Sequence, residues 1–516
     1  MEENNILKKI KNYITSERKF AFCTTFITAL LVHFTCYSQL LSISDTFANG
    51  SYYLPREWEI SIGRWGIYFL NILRFGIVSD FFICLMSFFF LSLTSILIND
   101  LLKMKSKLLI IIISIIIATA PYVYNILLYT YTSDSYFIAM FLSILSVKFL
   151  LKEQRKYHIY GIIVVIFYLS IYQTFLSFTI CLGIMILFLN LAKNKINVKK
   201  FLKKSFVFII DIIISLILYY IITKLILNIL NISVTTYYGV HDDFGYIIKN
   251  LFKGIYWTYE DFYRFYFSDV MFNNSPYFRQ IIYIGIVVLL NINIIIFIIK
   301  NNYDFSNRFI KILILYVLFL MLPIMQNSIR LIVLNSSLAP TMCAPYIIPI
   351  IIYISSIQDF LHTQKIKRRL NCIGIILSIY LIYTYILMGE ATYISLEKNY
   401  NQIYSQLIRI IDRIENNECY SEDIKLAIIG DRDFKQNISI YKLASISGRI
   451  GFYGLYPTNS IYNTYLKEEF GIKNEFATNE EIEKVCVTDE YKEMKNFPDK
   501  ESVKFINNIM VIKLEE

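Results

Sequence analysis

Charged residues are scarce in this 516-residue chain. Asp, Glu, Lys and Arg together make up 17% of it, against 56% hydrophobic residues, and a soluble protein of this length carries more charge. No P-loop, H-E-x-x-H, G-x-S-x-G or C-x-x-C motif is present, so ATPase, zinc-protease and serine-hydrolase readings lack support. Six of the eight cysteines (Cys23, Cys36, Cys84, Cys181, Cys343, Cys372) lie in or beside apolar runs without metal-ligand spacing; they read as small hydrophobic packing groups. Cys419 and Cys486 would be able to form a disulfide if their segment lies outside the cytoplasm. The first apolar run, Phe20 to Leu41, lacks a clear small-residue cleavage site and is longer than a signal-peptide core, so it is expected to remain as a first span. No internal repeat is evident. The net charge of +10 is not a nucleic-acid footprint, because from Ile394 onward the balance reverses to 16 basic against 21 acidic residues.

What is present is a series of long apolar runs. A bilayer crossing needs roughly 20 apolar residues, and eleven segments qualify or come close: 20–42, 78–102, 107–129, 134–151, 158–172, 175–192, 205–230, 280–299, 309–329, 338–360 and 371–393. Positive charge favours cytoplasmic loops. Alternate connecting segments (the first twenty residues, Lys103–Lys107, Lys148–Lys156, Lys193–Lys204, Lys300–Lys311 and Lys365–Arg369) hold 25 Lys and Arg. The other set holds far fewer, among them Arg56, Arg64, Lys249, Lys253, Arg264, Arg279 and Arg330. The expectation is a cytoplasmic N-terminus and an extracytoplasmic C-terminal segment. The predicted fold is a polytopic α-helical membrane protein with eleven transmembrane helices over 1–393, outer-face interfacial helices within 43–77 and 232–279, and a small C-terminal α/β domain over 394–516. In that domain "NYNQIYSQLIRIIDRIENN" has helical periodicity, while "IKLAIIGD" and "NIMVIKLEE" read as buried strands.

Ionisable groups in or beside spans are costly and each needs a reason. The first outer loop is the richest, with Asp45, Arg56, Glu57, Glu59 and Arg64 beside Trp58 and Trp65. A carboxylate there suits a base for a sugar hydroxyl, and an arginine suits a lipid phosphate; a solvated amphipathic loop would look the same. Asp134, at the outer start of a helix, reads as a hydroxyl ligand or an N-cap. Tyr172, Gln173 and Thr174 interrupt an apolar hairpin, where a glutamine suits a substrate hydroxyl or a helix–helix hydrogen bond. Arg330 and Arg279 suit phosphate binding or snorkelling to headgroups. Asp211 and Lys224 fall inside the seventh run and keep a transporter reading open. His241, Asp242 and Asp243 form a weak cation motif that a loop turn explains as well. No cofactor is expected, and a divalent cation is not indicated.

The order Asp45, "EWEISIGRWGIYFL", "PYVYNILLYTYTSDSYFIAMFLSILSV", "FYLSIYQTFLSF", "SLEKNYNQIYSQLIRIIDRIE" and "IKLAIIGD" resembles the Gtr-type glucosyltransferases, which include serotype-converting enzymes. The resemblance covers most of the chain, and its most specific pieces are Gly63-Arg64-Trp65, Ser133-Asp134 and Tyr172-Gln173. It implies a GT-C-like fold in a bacterial cytoplasmic membrane. It also implies a polyprenyl-phosphate sugar donor, commonly the undecaprenyl-phosphate form carrying glucose, and a surface glycan acceptor such as O-antigen. On that resemblance Asp45 matches the catalytic carboxylate, with Glu57 and Glu59 in reserve. Arg64, Arg279 and Arg330 would hold the donor phosphate, and Trp58, Trp65, Asp134, Tyr172 and Gln173 the sugar. Relatives often carry paired acids or His-Asp where this chain reads Ser44-Asp45-Thr46, which weakens a two-carboxylate or metal-assisted mechanism. The rival readings are a lipid-linked glycan polymerase or ligase, a glycolipid flippase or transporter, and a non-catalytic anchor for the outer domain.

Overall fold

A computed structural model describes residues 15–39, 41, 43–55, 57–233, 235, 244–268, 278–301, 304–333, 338–358, 365–430 and 466–514. The weak cation motif at 241–243 and Arg56 lie outside them. Helices dominate. In chain order they are α1 (Ser16–Val32), α2 (Phe34–Ser38), α3 (Ser44–Asn49), α4 (Glu57–Ser61), α5 (Trp65–Leu73), α6 (Asp80–Leu102), α7 (Lys107–Thr119), α8 (Pro121–Leu127), α9 (Ser133–Leu150), α10 (Arg155–Leu169), α11 (Phe175–Ala192), α12 (Val198–Leu230), α13 (Phe244–Lys249), α14 (Leu251–Tyr266), α15 (Phe278–Asn301), α16 (Phe305–Gln326), α17 (Ile348–Gln358) and α18 (Lys365–Glu415).

Among the described residues seven helices are long and apolar enough to cross a membrane: α6, α9, α11, α12, α15, α16 and α18. The pair α7 and α8, bent by 43° at Ala120, makes an eighth if it is one span. The other three expected crossings are shorter helices. The first breaks at His33, whose ring is tied to Tyr393 Oη (2.7 Å) and Ala118 O (2.9 Å). The fifth is the 15-residue α10. The tenth begins as two 3-10 turns, Pro340–Met342 and Ala344–Ile347, each with a proline in its first turn, before the 11-residue α17. Proline at these positions sacrifices no helical hydrogen bond. The chain is a membrane-embedded protein. Its outer helix α12 leaves Phe206, Ile213, Ile217, Ile221, Leu225 and Ile229 exposed, as lipid contact requires, while helix contacts inside use small hydroxyls, such as Ser95 with Ser114 (3.0 Å) and Ser87 with Ser133 (3.1 Å).

The basic loops meet at one end of the bundle. Asp100 pairs with Arg18 (2.7 Å) and Lys148 (3.9 Å), Glu17 with Lys105 (3.8 Å), and Glu153 with Lys200 (2.8 Å) and Lys204 (3.0 Å). Asp211, one of the two ionisable groups in the seventh apolar run, bonds His158 Nδ1 at 2.6 Å. Lys224 lies over the Tyr220 ring at 5.8 Å.

The long helix α18 runs unbroken through 393/394. Leu381, Tyr385, Met388 and Leu396 pack in the bundle core. Ile403, Leu407, Ile410 and Ile414 pack in a second core with Leu426, Ile428, Met510 and Ile512. That second core rests on a three-stranded sheet of order β1-β3-β2, formed by β1 (Lys425–Ile429), β2 (Val503–Ile506) and β3 (Ile509–Lys513). Strands β1 and β3 are parallel; β2 and β3 are antiparallel. Two further helices, α19 (Asn479–Cys486) and α20 (Asp489–Lys492), lie between the strands in sequence. Cys419 and Cys486 are both free thiols.

Candidate active site

The end of the bundle opposite the basic loops is built from the first loop and the helix ends it covers. That loop closes on itself through Tyr53 N to Gly76 O (2.8 Å) and Val78 N to Ser51 O (3.0 Å). Within it Gly63 takes φ +82°, a conformation open to glycine. A Cβ there would also collide with the Tyr219 hydroxyl. Without one, Tyr219 Oη donates to Gly63 O (3.0 Å).

This turn aims Arg64 inward. Its Nε lies 3.4 Å from Gln173 Oε1, its Nη1 donates to Tyr136 Oη (3.3 Å), and the guanidinium stands 5.0 Å over the Tyr172 ring. Gln173 Nε2 in turn donates to Ile62 O (2.9 Å) and Tyr219 Oη (3.0 Å). Tyr136 and Tyr172 stack at 4.3 Å with 17° between planes, and Tyr172 Oη donates to Thr341 (3.0 Å). A guanidinium on an aromatic face gains from the ring quadrupole while keeping N–H groups to offer a ligand.

Asp45 lies in the first turn of α3. Thr46 Oγ1 beside it donates to Leu128 O (3.4 Å), and Thr130 contacts the same hydroxyl (3.5 Å). Asp45 is within electrostatic reach of Tyr131 and Tyr136. It is accessible to solvent, yet surrounding protein displaces part of its hydration and raises its carboxyl above the ordinary value. Tyr136, which contacts Arg64, also feels the Asp45 charge. Glu59 accepts from Tyr53 Oη at 2.6 Å. Burial, and then the Glu59 charge, push that phenol above its usual range and keep it a donor. Glu57 is exposed at the start of α4. Trp58 is 46% exposed, and Trp65 Nε1 donates to Thr223 (3.1 Å).

Asp134 is not the N-cap of α9; that position falls to Thr132, which makes no capping bond. Asp134 sits in the first turn, where its two oxygens take Arg74 Nη1 at 2.8 and 2.7 Å, and Oδ1 also accepts from Ser135 N (2.7 Å). Arg74 Nη2 donates further to Asn71 (2.8 Å) and Tyr131 O (2.6 Å). Tyr131 lies edge-to-face on Tyr53 at 4.7 Å. Arg74 therefore fixes the strip that carries Tyr131, Tyr53 and Glu59. Sequence reading passed over Arg74, Tyr53, Tyr136 and Tyr219; the one available signal was Tyr136 standing two residues after Asp134.

The two other predicted phosphate ligands each have partners of their own. Arg330 Nε is 3.2 Å from Asp261 Oδ2, and its guanidinium lies 5.3 Å over Trp257. Arg279 is fully buried, with its guanidinium 5.7 Å over Tyr283. Among the described residues no three His, Cys, Asp or Glu side chains form a group that would hold a metal ion.

The family model for glucosyl transferase GtrII matches residues 35–357. The chain belongs to the GtrII glucosyl transferase family. It is a glycosyltransferase. No curated protein and no solved structure shows a significant match to it. The GtrII match takes in every site residue named above and stops before α18, so the C-terminal sheet lies outside the family region.

Proposed function

We propose that this GtrII-family protein transfers glucose from a polyprenyl-phosphate carrier to a cell-surface glycan, at the outer face of the bacterial cytoplasmic membrane, on a GT-C-like fold whose eleven apolar segments all cross the bilayer. The alternation of basic and non-basic loops supports that orientation. The observation that carries the chemistry is the gathering of Asp45, Glu59 and Arg64 from one loop around the Tyr136–Tyr172 stack.

The reaction is a single displacement. The acceptor hydroxyl oxygen attacks the anomeric carbon. The bond from that carbon to the carrier phosphate oxygen breaks, and the phosphate leaves with the electron pair. Asp45 takes the hydroxyl proton; its raised pKa makes it a better base than an ordinary carboxylate, while solvent exposure leaves room for the acceptor. Arg64 neutralises charge growing on the phosphate. Trp58, exposed on the loop, offers a face for sugar; Tyr172, buried in its stack with Tyr136, supports Arg64 rather than sugar, and Gln173 Oε1 is the atom of its amide left to accept from a hydroxyl. Asp134, occupied by Arg74, acts by holding the loop.

The test is transfer by purified protein in lipid nanodiscs supplied with polyprenyl-phosphate glucose and candidate glycans. Asp45→Asn is expected to lower kcat by about 10²–10⁴-fold at unchanged melting temperature. Loss in Glu59→Gln instead, with Asp45→Asn active, moves the base to Glu59. Full activity in both variants ends the proposal.

A further inference from the structure

The helix α14 is two-faced. Phe252, Tyr256, Tyr259 and Tyr263 form an exposed stripe, while Gly254, Thr258, Asp261 and Phe265 are buried beneath it. An aromatic stripe rich in tyrosine suits the headgroup layer of a bilayer. Tyr259 Oη donates to Leu320 O (2.6 Å), which fastens the helix to the C-terminal half of the apolar helix α16. Asp261 therefore lies on the inner side of a helix whose outer face suits the headgroup layer.

Its pairing with Arg330 is incomplete. Asp261 and Arg330 side chains are 1% and 6% exposed. Only Oδ2 is engaged, by Arg330 Nε at 3.2 Å and Asn327 Nδ2 at 2.9 Å. The buried Oδ1 receives no hydrogen bond. A buried ion pair that serves structure needs good geometry and its remaining lone pairs filled, and arginine typically grips a carboxylate with two parallel bonds. Here one oxygen is left over. Burial also pushes the Asp261 carboxyl up to about 6 in spite of the arginine beside it, so the ionised form is held loosely.

The pair adjoins the candidate active site. Ser328, in the same 3-10 turn as Arg330, meets Ser177 of α11 at 3.0 Å, one helical turn beyond Gln173. Thr341 takes the Tyr172 hydroxyl (3.0 Å).

We propose that Asp261 is a built-in stand-in for the carrier phosphate: in the empty enzyme its carboxylate occupies Arg330, and the arriving lipid phosphate displaces it. A phosphodiester offers two charged oxygens to the guanidinium and the Asn327 amide, where the carboxylate offers one. Occupancy by Asp261 keeps Arg330 neutralised between turnovers and sets a threshold that headgroups binding weakly do not pass. This inference rests on the carrier reading above, and its test separates the two.

Binding of polyprenyl phosphate alone, read by native mass spectrometry, is measured beside transfer. Asp261→Asn keeps the shape and removes the competing charge; it is expected to tighten binding, and to lower the donor KM, by about tenfold. In an Arg330→Ala background the same substitution is expected to change neither, an outcome a merely structural Asp261 would not give. Asp261→Glu, able to reach the guanidinium with both oxygens, is expected to weaken binding and serves if the asparagine variant does not fold. Unchanged or weaker phosphate binding in folded Asp261→Asn, or equal effects with and without Arg330, overturns the inference. Loss of transfer from polyprenyl-phosphate glucose in the unmodified protein, with binding still tightened in Asp261→Asn, overturns the carrier reading and leaves this one standing.

Discussion

The two ends of the helix bundle use ion pairs differently. At the basic end Arg18 and Asp100 are 21% and 23% exposed, and an exposed Glu153 meets Lys200 and the half-buried Lys204. At the other end Arg74 and Asp134 are 8% and 13% exposed and together engage three further residues, Asn71, Tyr131 and Ser135. Exposed pairs contribute little because water and mobile ions screen them. Buried ones cost a great deal to break, since one partner is left charged in a dry place. The lesson is that charge at the basic end stays near the surface, whereas charge at the site end sets shape.

Breaking the site-end pair gives the largest expected effect. Arg74→Ala strands Asp134 and frees Asn71 and Tyr131. We expect a loss of about 3–5 kcal/mol in stability, read by thermal unfolding in detergent, together with loss of transfer as Tyr53 and Glu59 drift. Asp134→Asn, which still accepts from Arg74, should fall between this variant and the unmodified protein. A variant at position 74 that melts with the unmodified protein would erase the distinction between the ends.

An intermediate effect is expected where the C-terminal domain touches the first loop. The Glu468 carboxylate accepts from Ser51 N (3.0 Å) and Ser51 Oγ (2.9 Å). It fits against Gly50, whose φ of 66° and ψ of −162° fall in a region open almost only to glycine. Gly50→Ala is expected to cost about 1–3 kcal/mol and to lower transfer several-fold by displacing α3 and Asp45. Glu468→Ala should lower transfer less and leave the melting temperature alone. If Gly50→Ala is silent in both measurements, the loop does not depend on that backbone conformation.

The smallest effect sharpens the contrast from the other side. Glu153→Gln is expected to leave transfer and melting unchanged at physiological salt, because both lysines remain solvated. A clear loss there would mean that the basic end also holds the fold.

The long apolar helices were legible because hydrophobic runs carry the membrane signal directly. The strands at 425–429 and 509–513 were legible for a similar reason: short buried runs bounded by polar residues. The breaks in the first and tenth apolar runs were not, because they come from His33 meeting Tyr393, 360 positions away, and from prolines opening two 3-10 turns. The first loop was legible as a cluster of chemistry-bearing residues, but not as a geometry. Asp134 looked like a cap because its partner, Arg74, lies 60 positions back. Arg330 looked like a ready phosphate ligand because Asp261 reaches it only after α14 folds down. Pairings of that range are set by packing, and local patterns do not record them.

The unbroken α18 has a mechanical consequence. From Glu390 to Glu415 it contains neither glycine nor proline, the residues at which helices give way. At 1.5 Å per residue its 51 residues make a rod of about 75 Å, rooted in the apolar bundle and capped by the sheet. A domain mounted on such a rod does not swing on a tether.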